Sequence, residues 1–121
     1  MGWQPRCSAS IMTNVNSPLP EDDAAELVEA LRAHARTPGL QVYAGRGWLR
    51  LVRECHNRLE DAFPNYELLA VKEKYGELAF QAFPRPWQTG GGPWTNQEAH
   101  AVDQITDEYR ELSTKVCDTH R

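Results

Sequence analysis

Residues 66–83 constrain the fold more than any other part of this chain. Two runs rich in aromatic and aliphatic side chains, Tyr66 to Glu73 and Glu77 to Phe83, flank a short segment that contains Gly76. β-formers on both sides of a glycine able to adopt positive φ predict an antiparallel hairpin with a loop of three to five residues. A two-stranded ribbon alone is marginal in water. One of its faces must therefore be covered by helices from the rest of the chain.

Three segments have the spacing to supply them. The acidic turn Glu21-Asp22-Asp23 complements a helix N-terminus, and Leu27, Val28 and Leu31 recur at helical spacing until Thr37-Pro38-Gly39 stops the run. Its polar faces are broad, which places this helix on the outside of the domain. Trp48, Leu51, Val52, Cys55, Leu59 and Phe63 fall three or four apart and trace one stripe ahead of Pro64. Thr95-Asn96-Gln97-Glu98 is a capping box that opens a third helix. Its seam steps through Val102, Ile105, Tyr109, Leu112 and Val116.

Between the first two helices, Leu40 to Tyr43 reads as a strand or an extended connection. Residues 84–94 hold three glycines and three prolines and read as a loop whose ends are anchored by Trp87 and Trp94. Residues 1–20 lack periodicity, end in Ser17-Pro18-Leu19-Pro20, and read as an irregular tail. The expected fold is thus a single α+β domain over 21–121, a short antiparallel hairpin sheet packed against two or three helices. Its core is expected to hold Trp48, Leu51, Val52, Cys55, Leu59, Val102, Ile105, Tyr109 and Leu112.

A chain of 121 residues is one ordinary domain. The net charge of −4 argues against nonspecific attraction to nucleic acid or anionic lipid as its main business. Three widely spaced cysteines, Cys7, Cys55 and Cys117, make a poor disulfide framework and fit a reducing compartment. No apolar run approaches the length of a membrane span, and the first residues do not form a signal peptide. A cytoplasmic protein with no membrane partner is expected.

Several residues are candidates for function. Lys72, Glu73, Lys74, Tyr75 and Glu77 form a charged tip suited to partner binding, although cross-strand pairing and protection of an edge would also account for these charges. Trp87 and Trp94 suit a partner-contact loop, since tryptophan is enriched among interface anchors; pinning the loop to the core is the alternative. Cys117 and His120 have the gap of a zinc knuckle, which is half of a site and would need Cys7, His34, His56, His100 or a second chain to complete it. A metal-free terminus, with no cofactor, is the simpler expectation. His56 lies one residue past the apolar stripe, beside Arg53 and Glu60, and is expected to be solvated. No catalytic nucleophile, phosphate loop or complete metal motif is present.

Gly47-Trp48-Leu49 with Leu51-Val52 and His56, then Pro64-Asn65-Tyr66, then Val71-Lys72-Glu73-Lys74-Tyr75-Gly76-Glu77-Leu78-Ala79-Phe80 resembles a family of small uncharacterised proteins of bacteriophages and bacterial genomes. That pattern runs GWxxL, QVKEKFGxLRF and a terminal CxxC, and the resemblance covers about residues 46 to 120. Ala79 stands where the pattern has arginine, and Cys117-Asp118-Thr119-His120 where it has two cysteines. The resemblance implies relatives and supplies no activity. The expected function is that of a non-enzymatic, phage- or prophage-type binding protein, an inhibitor or accessory factor, whose partner is a host or phage protein. One alternative is a nucleic-acid-associated protein using Lys72, Lys74, Arg46, Arg50 and Arg53 with a stacking tryptophan. Another is a metal-dependent enzyme built on Cys117 and His120.

Overall fold

The structure, a computed structural model, describes residues 19–86 and 94–116. Its elements run α1 (Glu21–Arg32), β1 (Val42–Tyr43), a 3-10 turn (Arg46–Trp48), α2 (Leu49–Ala62), β2 (Glu67–Lys74), β3 (Glu77–Phe83) and α3 (Asn96–Ser113). The class is α+β. Two features refine the expectation. The segment after Leu40 is a true strand: β1 pairs in parallel with β2 (Val42 opposite Val71, Tyr43 opposite Lys72), so the sheet is three-stranded and mixed, in the order β1-β2-β3. The hairpin loop has two residues, Tyr75 and Gly76, instead of three to five, because both take positive φ, 54° and 81°, as a primed turn requires.

The register of β2 on β3 puts Val71 opposite Phe80, Glu73 opposite Leu78, Lys72 opposite Ala79 and Lys74 opposite Glu77, with a bulge between Leu68 and Ala70. Alternation sends Leu68, Val71, Leu78 and Phe80 into the core and Lys72, Lys74 and Gln81 to the other face. The buried members meet Trp48, Leu51, Val52, Cys55 and Leu59 of the second helical segment and Val102, Ile105 and Tyr109 of α3. α1 contributes Leu27 and Leu31, and Leu19, in the segment read as a tail, is fully buried beside them.

The helix ends follow local chemistry. Thr95 and Glu98 form the predicted capping box, each side chain accepting the other's backbone N–H at 3.0 and 2.9 Å. α2 stops at Phe63, extended ahead of Pro64. α3 departs from its predicted seam. Leu112 is 37 % exposed, and Ser113 turns inward in its place. At 3.6 residues per turn either position can follow Tyr109, and the serine wins because its hydroxyl accepts the Leu78 N–H at 2.9 Å and donates to the Arg110 carbonyl at 2.5 Å. Among the described residues no helix is long and apolar enough to cross a membrane.

Candidate functional site

The hairpin brings Lys72, Glu73, Lys74, Tyr75 and Glu77 together at one end of the sheet. Tyr75 at the apex is 92 % exposed and is the sole non-glycine described at positive φ. The Glu73 carboxylate accepts the Gly76 N–H at 3.0 Å and braces the turn. Lys72 and Lys74 share the outer face of the sheet with Tyr43, which is 69 % exposed. Glu77 is held from α3 by Arg110 at 3.5 Å.

Trp94 lies elsewhere. It stacks on Phe83 with ring centroids 4.8 Å apart and donates its indole N–H to the Arg85 carbonyl at 2.8 Å. Phe83 ends β3, so at about 3.4 Å per residue the stack is roughly 20 Å from the tip. The tip and Trp94 therefore do not form one surface. Trp87, Cys117 and His120 fall outside the described residues. Within the described residues no group of three His, Cys, Asp or Glu side chains is arranged to hold a metal ion.

Two of the arginines proposed for a nucleic-acid patch are engaged by other groups. Arg46 donates to the Leu19 carbonyl at 2.9 Å, and Arg53 faces Asp23 of α1 at 3.8 Å. On the outer face Lys74 lies opposite the acidic Glu77.

A second cluster went unread in the sequence. His56, expected in solvent, is 4 % exposed. Its place four residues after Val52 and three before Leu59 sets it on the buried stripe. Its Nδ1 shares a hydrogen bond with the Tyr66 hydroxyl at 2.6 Å, and its Nε2 lies 3.7 Å from Glu60 Oε1. His34, in the turn after α1, stacks on Tyr66 at 4.1 Å. Its Nδ1 donates to the Tyr66 carbonyl at 2.8 Å and its Nε2 faces Glu60 Oε2 at 2.9 Å.

The electrostatics agree with that arrangement. The hydrogen bond from His34 holds the Glu60 carboxyl below its ordinary value, with smaller contributions from the two imidazoles' charge. Burial pushes His56 below 6.5, against the opposing pull of Glu60. The Tyr66 hydroxyl and the Cys55 thiol are both pushed up by burial. Glu60 and His34 border an open cleft of about 800 Å³ that also touches Asn65, Glu67 and Arg85. Chemically the cluster is a relay of hydrogen bonds from Tyr66 to His56 and from Glu60 through His34 to the Tyr66 carbonyl, left open between His56 and Glu60, which stand 3.7 Å apart. It fastens the turn after α1 to α2 and to the start of β2.

Neither a family model, nor a curated protein, nor a solved structure matches this chain.

Proposed function

We propose that this chain is a non-enzymatic binding protein of the phage or prophage type, cytoplasmic, which acts as an inhibitor or accessory factor by gripping another protein with its hairpin tip. One observation carries the reading: Tyr75 is held left-handed and almost wholly in solvent at the apex. The left-handed conformation costs an ordinary L-residue about 1–2 kcal/mol, and asparagine, aspartate or glycine would form the same turn with less strain. Strain kept at an exposed position supports a role outside folding. Tyrosine is also a favoured interface anchor, with a large contact area and few rotatable bonds.

The relay around Glu60 fits this reading better than it fits catalysis. Its Tyr66 hydroxyl and the neighbouring Cys55 thiol are buried with their ionised forms disfavoured. The Cys117 and His120 pair carries no part of the proposal.

Replacement of Tyr75 by the photocrosslinker p-benzoylphenylalanine, followed by irradiation in the native host, tests the reading. A discrete crosslinked protein from position 75 and none from the exposed control Gln41 is expected. Equal or absent crosslinking at the two positions overturns it.

A further inference from the structure

β3 is an edge strand, and among the described residues only the outward N–H of Leu78 is closed off. Leu78 gives its outward N–H to Ser113 of α3. The ladder alternates, so the next outward-facing backbone groups belong to Phe80 and Ala82. Leu68, which lies opposite Ala82, confirms the phase: its N–H and C=O turn away from β3 to His34 and Arg36 at 2.8 and 2.9 Å. Among the described residues nothing hydrogen-bonds to the outward groups of Phe80 and Ala82.

Edges of this kind are normally blunted by lysine, proline or an inward charge. This one has none: from Leu78 to Phe83 the strand reads Leu-Ala-Phe-Gln-Ala-Phe, six residues without a charge. In place of a guard it has a groove. A cavity of about 370 Å³ is lined by Leu69, Phe80, Gln81, Ala82 and Phe83 on the sheet side and by Asp103 and Thr106 on α3. Ala79 and Ala82 are small, which leaves room beside the backbone. Asp103, on the helical wall, has no cationic partner among the described residues.

We propose that this groove receives an extended segment of a partner protein, added as a fourth strand beside β3, with a lysine or arginine of that segment set against Asp103. The inference rests on the reading of the chain as a binding protein and names how part of the partner is held. Backbone pairing to Phe80 and Ala82 supplies affinity, and the pockets for alternate side chains supply selectivity. Side chains of the incoming strand that lie over Ala79, Gln81 and Leu69 are apolar or β-branched. Those that face α3 include the basic residue.

A phage-displayed library of random dodecapeptides, panned on the full chain, tests the proposal. Enriched peptides are expected to combine a run of β-formers with one lysine or arginine. Ala82→Pro removes the outward N–H and fills the groove, and should weaken a selected peptide about tenfold or more, with circular dichroism unchanged. Asp103→Lys, on an exposed helical position, should weaken the basic peptides by a similar factor and shift enrichment to acidic ones. N-methylation of alternate peptide amides should abolish binding in one register only, which keeps the test decisive should Ala82→Pro fold poorly. Failure to enrich any peptide overturns the proposal, as does undiminished binding to both variants. Peptides that bind Ala82→Pro normally and are lost on Tyr75→Asn would sink the edge site while leaving the hairpin-tip reading in place.

Discussion

Trp48 donates its indole N–H to the backbone carbonyl of Val116 at 2.7 Å, across 68 positions of sequence. The bond joins the turn that launches α2 to the segment that follows α3, and the indole itself is buried. Trp48→Phe keeps an aromatic ring there and leaves the Val116 carbonyl without its donor, at a cost of about 1–3 kcal/mol. Urea denaturation should show the lower midpoint with an unchanged slope. A variant as stable as the parent would mean that the bond contributes nothing.

Among the described residues, Ser113 closes the one protected position of the β3 edge. Ser113→Ala removes the acceptor of the Leu78 N–H and should destabilise the fold by about 1–2 kcal/mol. Leu112→Ala, at the more exposed neighbouring position, should cost less. Hydrogen exchange at the Leu78 amide should quicken in Ser113→Ala and stay slow in Leu112→Ala; the reverse order would restore the seam expected from spacing alone.

The relay makes stability depend on pH in one direction. His56 has a depressed folded value, so below its ordinary 6.5 the unfolded chain takes up a proton that the folded chain resists, and stability falls as pH falls. Glu60 is also depressed, and its contribution is present above 4.5 and lost as acid protonates it. Glu98, held at about 2 chiefly by the Arg85 hydrogen bond, is lost over the lowest part of the same range. Thermal melts should therefore decline from about pH 6.5 downward. His56→Phe, which forfeits the Tyr66 hydrogen bond and is less stable overall, should flatten the first part of the decline, between pH 6.5 and 5. An unchanged slope would remove His56 as its cause.

Much of this architecture was legible from periodicity. The stripe of α2, the capping box at Thr95 and the two strands around Gly76 are local patterns, and local sterics and caps decide them. The parallel pairing of β1 was not legible, because two residues carry no period and their strand character comes from Val71 and Lys72 across the sheet. The meeting of His34 with Glu60 spans 26 positions and depends on how α1 and α2 pack. His56 could have been found, since its offsets from Val52 and Leu59 put it on the buried face. The two-residue turn was hidden by Tyr75, a residue seldom used where positive φ is needed. Of the contact residues proposed from sequence, the five at the tip do assemble, while Trp94 is engaged at the opposite end of β3.

The most direct test of the account is to purify the chain and its Tyr75→Asn variant from the native host side by side, measuring unfolding free energy and the amount of partner recovered with each. Relief of left-handed strain should make the variant more stable, by about 0.5–1 kcal/mol, while partner recovery drops about tenfold or more. A variant that retains its partner in full would contradict the proposal that the hairpin tip is the gripping surface.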